Sequence, residues 1–312
     1  MPPSKYQKVS IIGAGSVGST LGRALFEKGY PIVSIISRTG QSAIALAKAV
    51  QCKKASTQIE DVDPSTKCII IATNDGAIPH IVKQLAGVKK LKFKKLFAAH
   101  TSGVLSSDVL EPLRKMGVTV ASIHPIQTFP HLQKLHQSKS LLKNIYYGID
   151  GEQLAIVRAE KIVHDLGGKS VIVSKEMKPL YHVACVFASG YMMIFLNAIN
   201  ELSKQLKLKA SWTEVFGPLM TTAMENTVKH SAGEALTGPV LRGDHSTIEL
   251  HLKTLAHYAP EFLPLYTVGG IEVARVAKRN GRIKQEDFEQ TIAQFKKFLK
   301  SNSFTKISKV ND

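Results

Sequence analysis

The feature that most constrains this chain is a glycine-rich turn after an apolar segment near the N-terminus. A strand predicted at residues 8–13 leads into the pattern G-x-G-x-x-G, formed by Gly13, Gly15 and Gly18. In such a turn the first glycine permits the bend, the second lets the backbone approach a pyrophosphate, and the third lets the next helix pack on the sheet. The helix that begins at Ser16 would aim free N–H groups at the phosphates. The pattern predicts a dinucleotide site; the alternative is an empty structural turn.

The end of the second predicted strand indicates which dinucleotide the site prefers. NAD-preferring sites place Asp or Glu there to bind the ribose 2′-hydroxyl, whereas this chain has Ser37, Arg38 and Thr39. Arginine binds a phosphate through charge-assisted hydrogen bonds, so NADP is favoured over NAD. A solvated arginine in a polar turn remains the alternative. The other predicted cofactor contacts are Ser16 and Val17 in the first helix and Ala72, Thr73 and Asn74 after the third strand.

The order of strand and helix signals predicts two domains. Residues 1–174 alternate strands and helices, which is typical of a doubly wound, mostly parallel (Rossmann) sheet. Strands are predicted at 8–13, 31–37, 67–73, 95–99, 118–123, 145–148 and 170–173, and helices at 16–28, 41–50, 76–86, 106–116 and 151–166. Residues 175–312 show only helical patterns, at 177–206, 211–230, 245–256, 259–276 and 284–300. We therefore expect an α/β domain followed by an all-α domain.

Charge and cysteine content exclude some functions and compartments. The formal net charge is +17, with lysines clustered at 89–95 and 296–309, but no nucleic-acid-binding motif accompanies them. Three widely spaced cysteines form no C-x-x-C pair, which argues against a metal site and favours a reducing cytoplasm. The N-terminus has no apolar leader. The most apolar run, residues 183–199, is short and interrupted for a membrane span, so we expect a buried helix that helps to form a homodimer.

Polar side chains follow two predicted strands at the edge where a doubly wound sheet binds ligands. His100 and Ser102 follow the fourth strand, and His124 follows the fifth. Each histidine is a candidate proton donor near pH 7, although a single histidine is more often structural. We expect these side chains to lie in one crevice and Ser102 and His100 to contact the substrate.

Two further groups of candidate residues lie in the helical half. Lys178, Tyr181 and His182 lie three to four residues apart and share a helix face, and Lys178 and His182 on it are candidate catalytic residues. A partly buried lysine with a lowered pKa suits a proton donor. The alternative is a solvated lysine at a helix start. The loop that contains Thr237, Arg242 and Asp244 is the other group, because Arg242 suits a substrate carboxylate. Capping of the next helix by Asp244 is the competing interpretation.

Taken together, these segments resemble a known family. The stretches that carry the resemblance cover almost the full chain and are Gly13 to Gly18, Ser37-Arg38, His100 to Gly103, Ser122 to Phe129, Lys178 to His182 and Leu236 to Asp244. The chain resembles Rossmann-like proteins with a C-terminal helical domain of unassigned function, which are described as NADP oxidoreductases. More distantly it is similar to ketopantoate reductases, pyrroline-carboxylate reductases and β-hydroxyacid dehydrogenases.

The resemblance implies a helical domain that dimerises, and a lysine early in that domain that donates a proton to the substrate oxygen. Lys178 occupies the comparable place. One departure is Gly190, where family members often have asparagine. The resemblance and the residues favour an NADP-dependent oxidoreductase, acting on a small carbonyl, imine or hydroxy acid between the two domains, with either Lys178 or His124 moving the proton. The alternative is a non-catalytic NADP-binding regulator or scaffold.

Overall fold

The computed structural model describes residues 7–129 and 141–301 of the 312-residue chain. It divides into two compact units, Met1–Tyr191 and Met192–Asp312. The lysines after residue 301 lie outside the described residues.

The first unit contains an eight-stranded sheet with the order β3-β2-β1-β4-β5-β6-β7-β8. Strands β1 to β6 are parallel, β6 and β7 are antiparallel, and β7 and β8 are parallel. The central strands are continuous apolar runs because both faces of the sheet are covered. The strands are β1 Val9–Ile12, β2 Ile32–Ile36, β3 Ala55–Ser56, β4 Cys68–Ile71, β5 Phe97–His100, β6 Thr119–Pro125, β7 Tyr146–Gly151 and β8 Lys169–Ile172.

Helices cover both faces of this sheet and form two apolar cores. One core packs Leu25 and Leu46 against the sheet, and the other packs Val82 and Leu113 against the opposite face. The helices of this unit are α1 Ser16–Glu27, α2 Gly40–Ala49, α3 Ile78–Ala86, α4 Glu111–Arg114, α5 Gln153–Asp165 and α6 Lys178–Val186. The predicted parallel-dominated α/β fold is therefore confirmed.

One predicted helix of the first unit differs from the structure. Residues 106–116 were expected to form a regular α-helix, but Ser107–Leu110 is a 3₁₀ turn and only Glu111–Arg114 is α-helical. The hydroxyl of Ser106 accepts the N–H of Asp108, which starts the turn as a short cap. Ser107 donates its N–H to Asp150 instead of continuing a helix.

The second unit is helical. Val240, Ile248, Leu252, Leu263 and Phe295 form the centre of its core. An apolar cavity of about 630 Å³ lies beside this core. The helices are α7 Met192–Gln205, α8 Trp212–His230, α9 Ala232–Ala235, α10 His245–Tyr258, α11 Leu263–Arg279 and α12 Gln285–Ser301.

The most apolar run of the chain, residues 183–199, is helical as predicted, and much of it is exposed in the single chain. Its burial in a homodimer stays a prediction. Phe187, Met193 and Phe195 are 58%, 56% and 49% exposed. A π-helical turn, Phe187–Tyr191, joins α6 to α7. By length and composition alone, Lys175–Gln205 is apolar enough to cross a membrane, with a mean hydropathy of 1.6 over 18 residues of which 6% are buried. Apolar periodicity predicted a helix here, but it cannot predict what covers that helix.

The predicted division at residue 174 can be compared with the compact units. The last strand ends at Ile172, close to that position. The compact units divide between Tyr191 and Met192, because α6 packs with the sheet that precedes it.

Candidate active site

The glycine turn has the geometry that the sequence predicts. Gly13 has a positive φ of 98°, and a Cβ there would collide with the backbone oxygen of Ala72. A Cβ at Gly18 would collide with the oxygen of Gly13. In contrast, a Cβ at Gly15 would meet no atom within 4 Å. Gly13 and Gly18 are therefore required by the fold, whereas Gly15 faces open space at the start of α1.

The start of α1 can accept an anion. Gly15 is the N-cap and supplies no side-chain cap, and the first turn contains no acidic residue. The N–H groups of Ser16 and Val17 lie in this first turn, where a helix provides no internal acceptors. Beside the turn, Thr73 Oγ1 is buried and has no hydrogen-bond partner among the described residues. A buried hydroxyl without a partner indicates a missing ligand or water.

The end of β2 also fits NADP. Ser37 Oγ lies 3.3 Å from the backbone nitrogen of Ala14 and accepts its hydrogen, which fixes the end of β2 to the glycine turn. Arg38 is exposed and makes no ion pair in the part of the chain that the structure describes. Thr39 Oγ1 donates to Ser42 Oγ at 2.8 Å. Asn74 is exposed after β4, so it too is accessible to a cofactor. These residues fit the phosphates and 2′-phosphate of NADP.

Three aromatic side chains meet near the carboxyl end of β6. His124 Nδ1 lies 2.7 Å from Tyr181 Oη, and the two rings are perpendicular. The His182 ring contacts His124 edge-on, at 5.9 Å between centroids. Tyr181 and His182 are adjacent on α6, so one helix carries both partners of His124. Tyr181 and His182 thus lie on one side of α6, as the spacing predicts, and both contact His124.

Two glycines make room for this cluster. A Cβ at Gly103 would lie 2.5 Å from His182 Cδ2 and 2.9 Å from His124 Nε2. A Cβ at Gly148 would collide with Tyr181 Oη. Any larger residue at either position would therefore push the aromatic rings apart.

Burial sets the protonation states of His124 and Tyr181. Burial lowers the pKa of His124 to about 4, and the nearby Lys178 cation adds to this effect. Burial also raises the pKa of Tyr181 above its usual value. At neutral pH the imidazole is therefore uncharged and the phenol keeps its proton. A neutral imidazole beside a phenol can hand over or take up one proton at a substrate atom.

Lys178 lies below this cluster and is fully buried. Its Nζ donates to Ser122 Oγ at 2.6 Å and lies 3.2 Å from Asp150 Oδ2, and its side chain is 0% exposed. Burial lowers the pKa of Lys178, and the Asp150 carboxylate opposes this shift. The lowered pKa agrees with the sequence prediction, and a solvated lysine is excluded. However, the ammonium group is enclosed by protein atoms and does not reach the surface that a substrate would contact.

Two predicted substrate ligands, His100 and Ser102, bond within the loop that follows β5. His100 is completely buried: its Nδ1 accepts the N–H of Ser102 at 3.2 Å, and its Nε2 lies 3.0 Å from the oxygen of Ser106. The hydroxyl of Ser102 accepts the N–H of Leu105 at 3.0 Å. Both side chains therefore hold the loop after β5, and both ring nitrogens of His100 are engaged there. The Ser102 hydroxyl accepts from the loop, and a substrate role for it stays a prediction. Burial lowers the pKa of His100 to about 4, so it is neutral at pH 7.

The other three predicted substrate residues belong to the second unit. Asp244 caps α10, because its carboxylate accepts the N–H of Thr247 at 3.1 Å and the hydroxyl of Thr247 at 2.7 Å. Capping thus accounts for Asp244, as the competing interpretation proposed. Arg242 is exposed, and Thr237 lines the apolar cavity of this unit. A substrate role for Arg242 stays a prediction.

Sequence reasoning missed two residues of the site, Ser122 and Asp150. It placed Tyr181 on the helix face of Lys178 and His182 but gave Tyr181 no role. Asp150 carries a signal in retrospect, because it is a lone carboxylate in the otherwise uncharged strand β7. The register that places it opposite Ser122 cannot be derived from the sequence, since β7 is antiparallel to β6. Among the described residues, no cluster of His, Cys, Asp or Glu suits a metal ion.

Comparisons with known proteins agree with this architecture. Residues 3–125 match the Rossmann-like domain family, and residues 145–272 match a domain of unknown function, DUF2520. The chain therefore carries both domains, and the predicted resemblance is confirmed. No curated protein matches the chain in sequence.

Solved structures show the same fold at low sequence identity. The "putative NADP oxidoreductase BF3122" from Bacteroides fragilis is 24% identical, with a TM-score of 0.72, over 86% of this chain and 98% of that protein. Protein TM1727 from Thermotoga maritima is 22% identical, with a TM-score of 0.63, over 88% and 100%. An imine reductase from Pseudomonas sp. is 18% identical, with a TM-score of 0.55, over 95% of each chain.

Proposed function

We propose that this protein is an NADP-dependent oxidoreductase, which transfers a hydride between the nicotinamide ring and a small carbonyl, imine or hydroxy-acid substrate. The observation that carries the proposal is the shared edge of the sheet. Strands β1, β4 and β6 are parallel, so the glycine turn, Thr73 and His124 all lie towards the same carboxyl edge. Doubly wound sheets bind dinucleotides at this edge. A proton-handling group therefore lies on the same side as the cofactor site.

The names of two structural neighbours support the class of reaction. The Bacteroides protein is named as an NADP oxidoreductase, and the Pseudomonas protein as an imine reductase. Bound NADPH would supply the hydride at this site, and the protein would supply orientation and the proton.

We assign the proton transfer to His124 rather than to Lys178. His124 is only partly buried, whereas Lys178 is enclosed. In the tautomer in which Tyr181 donates to Nδ1, the hydrogen of the neutral ring is on Nε2. As this hydrogen passes to a substrate oxygen or nitrogen, the phenolic hydrogen of Tyr181 moves to Nδ1, so the imidazole stays neutral and the phenolate that forms takes a proton from solvent. Lys178 and His182 then act on this ring, Lys178 through its charge and His182 through its edge contact.

Substituting the two competing residues tests this assignment. His124→Asn should lower turnover by about 10² or more, the usual contribution of a general acid or base. Lys178→Met should keep NADPH affinity within a few-fold and shift the pH profile to higher pH, because it removes a cation that lowers the pKa of His124. If Lys178→Met abolishes turnover and His124→Asn does not, the lysine is the proton donor and the assignment is wrong.

A carbonyl and imine panel tests the reaction class itself. The purified protein is incubated with NADPH and each substrate, and the loss of NADPH fluorescence is recorded. Turnover of at least one member that disappears in His124→Asn supports the oxidoreductase. Tight NADPH binding without turnover on any member would support the alternative function, a non-catalytic NADP-binding regulator or scaffold.

We also propose that the protein is a cytoplasmic homodimer. Apolar side chains on α7 and α8 are exposed. On α7 the exposed fractions of Met193, Ile194 and Phe195 are 45–56%, and on α8 that of Leu219 is 67%. An apolar surface of this kind marks an interaction site, and a second copy is the partner we favour. Light scattering at micromolar concentration should give twice the mass of the chain. A monomeric mass would refute the dimer. If the monomer also sediments with lipid vesicles, the apolar surface binds a membrane instead.

A further inference from the structure

The antiparallel strands β6 and β7 carry residues that organise the site. In their register Ser122 lies opposite Asp150, and two residues further along β6, His124 lies opposite Gly148. Residues two apart on a strand point to the same face. The two rungs, Ser122 with Asp150 and His124 with Gly148, therefore face the same side of the sheet.

Helix α6 carries one residue for each rung. Lys178 contacts both members of the first rung, at 2.6 Å to Ser122 and 3.2 Å to Asp150. Tyr181, one helical turn later, contacts both members of the second rung, because it bonds to His124 and lies where a Cβ of Gly148 would be. The charged contact of Lys178 thus fixes the position of the first turn of α6 on the sheet, and the aromatic cluster fixes the second turn.

Asp150 is itself held in place for this contact. Its Oδ1 accepts the N–H of Ser107 at 2.8 Å, and its side chain is 5% exposed. Its Oδ2 is buried and lies 3.2 Å from the ammonium group of Lys178, the only cation within 4 Å of it among the described residues. A buried ammonium group needs such a carboxylate, because desolvation of an unpaired charge is costly.

We propose that Asp150 is a positioning residue of this site: through Lys178 it fixes the first turn of α6 on β6 and β7, and thereby sets Tyr181 and His182 against His124. Its effect on turnover rests on the proposed function, whereas its effect on the aromatic cluster does not.

The polar cavity beside Asp150 provides a way to test the proposal. A cavity of about 310 Å³ is lined by Asp150 together with Arg114, Lys175 and Asp108. Formate fits this volume, and its carboxylate carries the same charge as the side chain that Asp150→Ala removes beside Lys178. Removal of the Asp150 carboxylate therefore leaves a place that formate can take.

The experiment uses Lys178→Met and four further variants of the full chain. Asp150→Asn removes the charge and keeps an oxygen for the N–H of Ser107. Asp150→Ala leaves room for formate. Asp150→Asn combined with Lys178→Met removes both charges, so it avoids an unpaired buried ammonium group if the single variant folds poorly. Asp108→Asn is the matched control, because Asp108 lines the same cavity but pairs with Lys175 and Arg114.

The first readout needs no substrate. Histidine ¹⁵N NMR reports the His124 Nδ1 hydrogen bond and the pKa of the ring. We expect Asp150→Asn to change both and Asp108→Asn to change neither. Added formate should restore the wild-type signal in Asp150→Ala, and chloride at the same ionic strength should not. An unchanged His124 signal in Asp150→Asn, or no rescue by formate, would overturn the proposal.

The second readout is turnover of a substrate from the panel. Asp150→Asn should lower the turnover rate at least 10-fold and shift its pH profile. The double variant should turn over within 3-fold of the rate of Lys178→Met, because a residue that acts only through Lys178 adds nothing once Lys178 is removed. Independent, multiplying losses would overturn the proposal. If the NMR changes appear but the wild-type protein turns over no substrate, the positioning role stands and the oxidoreductase proposal fails.

Discussion

Replacing Arg38 with alanine should reduce NADPH affinity and leave NADH affinity unchanged. The only difference between the two cofactors is the 2′-phosphate, and Arg38 is the cation at the end of β2, where that phosphate binds in this fold. A hydrogen bond to a charged group contributes about 1.5–3 kcal/mol. Arg38 is exposed, so solvent screening places it near the lower end, at about 1.5–2 kcal/mol. This corresponds to a loss of about 10- to 30-fold.

The assay is titration of cofactor fluorescence for NADPH and NADH with the wild-type protein and each variant. Arg279→Ala is the control, because Arg279 is also an exposed arginine but ends helix α11 in the second unit. The wild-type protein should prefer NADPH by about the factor that Arg38→Ala removes. Equal wild-type affinities for the two cofactors, or equal losses of both in Arg38→Ala, would refute the argument from the 2′-phosphate.

Three further predictions concern the turn, the buried histidine and the helix cap. Gly15→Ala should leave thermal stability nearly unchanged, since its Cβ meets only open space, but should weaken the binding of NADPH. Gly18→Ala should destabilise the fold by about 1–3 kcal/mol, because its Cβ meets the backbone of Gly13. Calorimetry with and without NADPH distinguishes the two effects. The pKa of His100 is about 4 when folded and about 6.5 when unfolded, so protonation of the unfolded chain destabilises the fold as the pH falls from 6.5 towards 4, by about 2 kcal/mol at pH 5. Because the pKa of His124 is lowered to a similar value, denaturant titrations against pH should show a loss in His100→Asn that is about 2 kcal/mol smaller at pH 5 than in the wild-type protein, and not zero. Asp244→Ala should cost about 1 kcal/mol of stability through the lost cap and leave NADPH affinity unchanged in the same cofactor titration.

The part of the fold that the sequence predicts best is the part that local rules determine. Continuous apolar runs predicted the central strands β1 and β4, and the glycine spacing predicted the start of α1 at Ser16. These features depend on neighbouring residues along the chain. The location of the cofactor site follows from them, because the carboxyl edge of a parallel sheet is fixed once the strands are known.

The candidate catalytic residues were harder to assign, because their roles depend on packing between distant segments. His100 and His124 look alike in the sequence, since both end a strand with a polar group. The structure encloses His100 between the backbone atoms of its own loop, while His124 meets Tyr181 from another element. Nothing in a local pattern distinguishes a histidine that holds a loop from one that faces a ligand.

The role of Lys178 also depends on a contact between distant segments that a local pattern does not predict. Helical spacing correctly placed Lys178 on the face of α6 that carries Tyr181 and His182, but only the register of β6 and β7 brings Asp150 to it. A lysine paired in this way keeps its proton more firmly than an unpaired buried lysine, because donation would leave the Asp150 carboxylate buried without a counter-charge. Burial is the main cause of the lowered pKa of His124, and the Lys178 cation adds to it, so the imidazole stays neutral. The buried pair therefore suits a group that orders and tunes the site, and leaves the proton transfer to the imidazole.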